Sequence, residues 1–411
     1  MPLANNSKTN PFKLLGPGLL FAGASIGVSH LVMSTRAGAD FGFGLLWALL
    51  LVHLFKYPFF QYGPRYATAT GESLLDGYRK LGKGVLIFYF ILSFVVMFTI
   101  QAAVTIVTAG LAINLFGLTD NPITWSFIIS IIGVIILTVG KYKLLDNLMK
   151  IIIIVLSVST ITAVLVAVLN TDKVFNFSQI LPEGTIEISF LIAFLGWMPA
   201  PMDISIWHSL WAIEKKKDAS EFDTKKSIFD FNIGYLGTII LGICFIALGS
   251  LVMFGSEEKF SSGAGQFANQ LIGLYTKSMG KSMYIIIGIA AFTTMFSTTI
   301  TTLDASPRVM SKSMELLSNK QNDKLYWIWI SILFIGTMVI LKYFISEMGA
   351  LVKLATILSF LTAPFYAIIN FILISGKHTP EEWRPSIGMK ILSYLGIVFL
   401  IAFNVWYLMN L

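Results

Sequence analysis

LLGPGLLFAGASIGVSHLVMST, residues Leu14–Thr35, is an apolar stretch long enough to cross a bilayer, yet Gly16-Pro17-Gly18, Gly23 and Gly27 interrupt it. A second stretch of the same kind, ISFLIAFLGWMPAPMDISIWHSLWAI (Ile188–Ile213), is interrupted by Gly196, Pro199 and Pro201. A helix in hydrocarbon must satisfy its own backbone groups, so unwinding one near mid-membrane makes sense mainly where something polar binds. Paired broken spans in corresponding places of two halves point to the substrate site of a secondary transporter.

The rest of the chain supports a membrane reading. Hydrophobic residues make up 56% of its 411 residues and charged residues only 12%; the mean hydropathy is +0.78. A span needs about 20 apolar residues. Such stretches occur at Leu14–Thr35, Gly42–Tyr66, Gly84–Phe116, Ile123–Gly140, Ile151–Asn170, Ile188–Ile213, Phe231–Phe254, Ser282–Leu303, Leu325–Leu341, Met348–Ile374 and Ile391–Leu411. The expected fold is therefore all-α and integral to the membrane, with about eleven transmembrane helices. Five spans begin with a broken one, five more begin with another, and one is left over. That is the plan of a LeuT-like transporter with two inverted five-helix repeats. The expected division is 14–170 for the first repeat, 188–374 for the second and 391–411 for an extra C-terminal helix, all in one transporter domain.

Charge sets the expected orientation. With the N-terminus in the cytoplasm, Lys8, Lys13, Arg79, Lys80, Lys215–Lys217, Lys225, Lys226, Lys312 and Lys390 lie inside, whereas Lys173, Lys259, Lys277, Lys281 and Lys342 lie outside. That asymmetry follows the positive-inside rule and accounts for the net charge of +7 without nucleic acid. The expected location is the cell membrane. The single cysteine, Cys244, excludes an intrachain disulfide framework and a cysteine-based zinc cluster. Leu14 onward reads as a retained first span, since it lacks a small-residue cleavage pattern. No nucleophile–base pair or phosphate loop is visible, so an enzyme is not expected. The expected partners are the lipid bilayer and a small inorganic ion or solute; the oligomeric state is left open.

Specific strings add a family. Gly16-Pro17-Gly18-Leu19-Leu20 opens span 1. Arg36-Ala37-Gly38-Ala39-Asp40-Phe41-Gly42 is followed by Leu45-Leu46-Trp47, and Arg65 by Ala69-Thr70-Gly71 and Leu74. Together these resemble the first two spans of the NRAMP family of proton-coupled divalent-metal transporters. Met295–Arg308 (MFSTTITTLDASPR) is similar to that family's span 8, and Gly140–Lys150 to the entry of its span 5. The resemblance implies a divalent transition-metal substrate, protons as the usual coupling ion and no permanently bound cofactor.

The active region departs from the family pattern. Where the family carries Asp-Pro-Gly-Asn in span 1, this chain has Gly27-Val28-Ser29-His30. In span 6 the family's Met-Pro-His string can be aligned in two ways. Anchoring on His208-Ser209 puts Pro201 at the methionine and Asp203 at the first histidine. Anchoring on Met198-Pro199 keeps the soft ligand.

His30 and Asp203 are the candidate metal ligands, with carbonyls near Gly27 and Pro199. Imidazole suits transition metals, though a polar residue in a bundle also bonds between helices. Asp203 is an ionisable residue within a span, functional by default; it would ligate a cation, carry a coupling proton, or pair with Arg36 or Lys56. His208 falls about 140° around a helix from Asp203 and suits a relay. Lys56, with His208 and Asp203, is a candidate for the coupling step. Gly27, Ser29, Met198, Pro199, Trp207 and Gln101 complete the substrate-binding candidates. Sodium is the alternative coupling ion. Two other readings remain: a transporter of a small organic or anionic solute on the same fold, favoured by Arg36, Lys56 and the Trp197/Trp207 pair, and a sensor on a transporter scaffold.

Overall fold

The computed structural model describes residues 16–139, 141–171, 175–218, 222–344 and 347–410. Lys8, Lys13, Leu14 and Lys173, all used in the reading of spans and orientation, lie outside these residues, as does Gly140.

The first broken span consists of α1 (Pro17–Ser25), a π-helical segment Ser29–Ser34 and α2 (Thr35–Phe41). Its two parts are bent by 44°. Gly16-Pro17-Gly18 turns out to begin this span instead of breaking it. Proline is favoured in the first helical turn, where its missing N–H costs nothing, and Pro17 occupies that position. The break itself lies at Ile26–Val28, around Gly27. Short π segments concentrate at functional sites.

Next come α3 (Leu46–Thr70), the short α4 (Leu74–Leu81), α5 (Lys83–Phe116), α6 (Pro122–Val139) and α7 (Lys141–Leu169). The second broken span is α8 (Thr185–Trp197) and α9 (Ile204–Asp218), separated by Met198–Asp203. The order then repeats: a long helix, α10 (Thr224–Val252); a short one, α11 (Ala264–Met279); then α12 (Tyr284–Ser318), α13 (Lys324–Val339) and α14 (Met348–Ser375). The final helix is α15 (Ile387–Met409).

Seven described helices are long and apolar enough to cross a membrane, and the bent first span makes an eighth. Of the other three expected spans, helix α3 carries Lys56 and Arg65 with Pro58 and Pro64, Ile153–Leu169 of α7 is an apolar stretch among the described residues, and the sixth span is split into α8 and α9. Large apolar side chains such as Ile135, Val158, Ile335 and Val398 are exposed on the outer helices, as a lipid-facing surface requires. Helix α12 runs to Ser318, well past the expected end at Leu303. Asp304 is tolerated inside it because Arg308, one turn on, donates to its carboxylate at 2.7 Å and Tyr326 of α13 donates as well.

Both broken spans pack against long helices. The α1–α2 unit lies on α10, α9 lies on α3, α8 on α14, and α5 on α12. Close approach is set by glycine. A Cβ on Gly18 would overlap the backbone of Asp230 on α10, and one on Gly234 of α10 would overlap Gly18.

Candidate functional site

The two broken spans meet at Ser34 and Met198. Ser34, in the π-helical segment, donates its hydroxyl to the Met198 thioether at 3.5 Å. Both side chains are fully buried. Of the two alignments of span 6, the one anchored on Met198-Pro199 therefore has its methionine in contact with span 1. Gly27 lies at the other side of the break, against α12. A Cβ there would come within 2.8 Å of Thr298 Oγ1, whose hydroxyl lies 3.4 Å from the Gly23 carbonyl.

His30 is completely buried in the same π segment. Its Nε2 lies 2.9 Å from the Thr238 carbonyl on α10, and its Nδ1 lies 2.7 Å from Ser29 Oγ and 3.1 Å from the Ser25 carbonyl. Carbonyls only accept, so each ring nitrogen faces an acceptor, Nε2 that of Thr238 and Nδ1 that of Ser25, and the tautomer decides which of the two receives the ring proton, while Ser29 Oγ gives its own hydrogen to the Ser25 carbonyl. His30 thus ties the break in span 1 to α10, the interhelical bond that was one of its two readings.

Asp203 sits elsewhere. It closes the loop before α9 and is 9% exposed. Its carboxylate lies beside the N–H groups of Asp203 and Ile204 and within electrostatic reach of Tyr89 on α5 and Tyr366 on α14. Its Oδ1 has no hydrogen-bond partner. Among the described contacts none joins His30 to Asp203: one is turned to α10, the other to α5 and α14. The shared ligand shell expected from the sequence is not formed in this conformation. Among the described residues, no three His, Cys, Asp or Glu side chains gather to hold a metal ion.

The ion pair considered for Asp203 is not formed either. Lys56 Nζ donates to the carbonyls of Leu195 at 2.7 Å, Gly196 at 2.8 Å and Ala200 at 3.5 Å. Arg36 has Asp40, one turn on, as its charged neighbour.

The remaining candidates are placed as follows. Gln101 on α5 bridges to α12: Nε2 donates to the Thr299 carbonyl at 3.3 Å and to Thr105, and Oε1 accepts from Thr302 at 2.6 Å. Trp207 is buried edge-on against Trp211, while Trp197 donates from Nε1 to Ser359 on α14 at 2.8 Å. His208 is fully buried among Phe21, Phe231 and Trp211, with neither ring nitrogen bonded.

Three features escaped the sequence reading. Asp230 on α10 accepts from the N–H groups of Gly16 at 3.0 Å and Gly18 at 2.7 Å, capping α1 from another helix. Asn370 on α14 accepts from Tyr78 at 2.6 Å and donates to Ser205 at 3.1 Å. Ser34 meets Met198. An acidic residue at the very start of the apolar run from Phe231 was a signal for the first; nothing in the sequence singled out the other two.

A model of the Nramp family, natural resistance-associated macrophage protein-like, matches residues 18–410. The chain belongs to this family. It is thus an all-helical membrane transporter of LeuT-like fold, and not an enzyme. An uncharacterised protein of Pasteurella multocida (strain Pm70) is 35% identical over 399 residues, covering 95% of this chain and 92% of its own length. The divalent metal cation transporter MntH of Staphylococcus saprophyticus is 22% identical over 415 residues, covering 96% and 91%. Among solved structures, the Eremococcus coleocola manganese transporter gives a TM-score of 0.74 at 14% identity, over 98% of this chain and 87% of that one. MhsT in complex with L-phenylalanine gives 0.64 at 13% identity, over 96% and 98%. At these identities the solved structures establish the fold alone.

Proposed function

We propose that this Nramp-family chain moves a divalent transition-metal cation across the cell membrane by alternating access, with its N-terminus in the cytoplasm. The observation that carries this reading is the contact between Met198 and Ser34 where the two broken spans cross. A thioether is a soft donor that favours transition metals over magnesium and calcium, and the hydroxyls and freed carbonyls around it supply harder oxygens. Support also comes from relatives named as manganese or divalent metal cation transporters.

In this reading one bundle, built on spans 1 and 6, rocks against the rest about the crossing. The Ser34–Met198 contact opens to admit the ion between them. His30 orients the span 1 break through Ser29 and Thr238. Asp203, with its free carboxylate oxygen, takes up the coupling proton or the departing cation on the far side of the loop.

A second reading has one specific observation behind it. Lys56 places a positive charge at the break in span 6, which disfavours a cation and favours a small organic or anionic solute. Titration calorimetry separates the two. Purified protein should bind Mn²⁺ more tightly than Mg²⁺ or Ca²⁺, and Met198→Leu should erase the preference. No binding of any of the three ions sinks the metal reading and turns the search to carboxylates and amino acids.

A further inference from the structure

The Lys56 ammonium is the most unusual charge in the bundle. It stands on α3, completely buried, and no carboxylate pairs with it among the described residues. Its three N–H donors meet three carbonyls, of Leu195, Gly196 and Ala200. Two of these belong to the last turn of α8, where carbonyls lack intrahelical partners and the helix dipole is negative. The third lies inside the break. Such clusters of half-helix carbonyls are where discontinuous transporter helices hold a free coupling cation. A buried ammonium without a counter-ion is expensive, so this arrangement persists only because the carbonyls solvate it.

We propose that Lys56 is a tethered cation: its ammonium fills the carbonyl site that the break in span 6 creates, in place of a free alkali ion. The site takes a primary ammonium, held by the chain itself, and α8 and α9 keep their relative geometry because of it. The proposal stands apart from the identity of the cargo, since it concerns what solvates the broken backbone.

Chemical rescue tests it. Wild type, Lys56→Ala, Lys56→Met and Lys56→Arg are purified in detergent and melted in choline chloride, with and without n-butylammonium or n-butanol. Lys56→Met keeps the apolar stem and loses only the charge, so it should melt well below wild type, whereas Lys56→Arg should stay close to it. Lys56→Ala should be raised by butylammonium and not by butanol. Manganese uptake into proteoliposomes, used as a probe, should fall at least about tenfold in Lys56→Ala, the loss of charge-assisted bonds being the cause, and recover with butylammonium.

Lys56→Met melting with wild type, or equal rescue by butanol, would overturn the proposal and leave Lys56 as packing. If Lys56→Ala does not fold, the Lys56→Met and Lys56→Arg comparison still decides. If wild type takes up no manganese, the metal reading fails while the melting series judges Lys56 independently.

Discussion

Asp230 offers a test of how the first broken span is anchored. Its carboxylate accepts from the N–H groups of Gly16 at 3.0 Å and Gly18 at 2.7 Å, so α10 caps α1 across the bundle. Replacing it with Asn keeps the shape and one acceptor oxygen but turns an amide donor toward the second N–H. A hydrogen bond to a charged group contributes about 1.5–3 kcal/mol, and a carboxylate at a helix N-terminus about 0.3–1 kcal/mol, more when buried. Losing one bond and the charge should cost roughly 2–4 kcal/mol on those figures. The melting temperature shifts by about 2–4 °C per kcal/mol in chains of 150–250 residues and less in longer ones, so Asp230→Asn should melt roughly 5 °C below wild type. Both Asp230 and its partners are buried, so raising the salt concentration should leave the difference intact. Thermal unfolding in detergent, read by tryptophan fluorescence at low and high salt, measures it. An Asp230→Asn protein that melts within a degree of wild type would refute the capping argument, and a difference that vanishes in salt would show a surface charge effect.

Other perturbations follow from the same contacts. Gly27→Ala should cut uptake of a manganese probe several-fold, because the new Cβ would lie 2.8 Å from Thr298 Oγ1; Thr298→Ala in the same chain should restore part of it, and no restoration would place the defect elsewhere. Asp304→Asn should destabilise the extended end of α12 by about 1–3 kcal/mol, since Arg308 and Tyr326 both donate to that carboxylate; denaturant melts compare it with Arg308→Gln, and additive losses would show the two are not one network. Asp203→Asn should leave the melting temperature within about 1 °C of wild type, because Oδ1 has no partner to lose, while uptake falls; a large loss of stability would mean the carboxylate is structural.

The sequence revealed spans more readily than side-chain directions. Long apolar runs such as Gly84–Phe116 match α5 closely, because composition alone dictates a helix in lipid. Breakers were harder. Gly16-Pro17 and Gly196-Trp197-Met198-Pro199 look alike in one dimension, but the first starts a helix and the second ends one. The difference lies in Asp230, more than 200 residues away, whose carboxylate meets the N–H groups at Gly16 and Gly18. His30 and Asp203 were read as one shell because both lie in broken spans. Which face each presents depends on the π-helical segment Ser29–Ser34 and the irregular loop Met198–Asp203, whose geometry no 3.6-residue period foretells.

The buried polar groups then sort by what they answer. Asp230 solvates the N–H end of α1, and Lys56 solvates the carbonyl end of α8, so two buried charges are spoken for by helix ends. Gln101 and the α12 threonines bond to each other and to carbonyls. Among the described buried atoms with no hydrogen-bond partner are Asp203 Oδ1, both nitrogens of His208, Nε2 of His53 and Oγ of Ser25, alongside others such as Ser375 Oγ on α14 and Asn404 Oδ1 on α15. Leaving such groups buried and unbonded costs about 1–3 kcal/mol each, a cost that a rigid protein has no reason to bear. A transporter must change which groups are solvated as it opens from one side to the other. The unbonded set is therefore where the alternate conformation or the cargo should supply partners. Hydrogen exchange and accessibility labelling in the presence of cargo should change first at Ser25, Asp203 and His208, and leave the Asp230 and Lys56 caps unmoved.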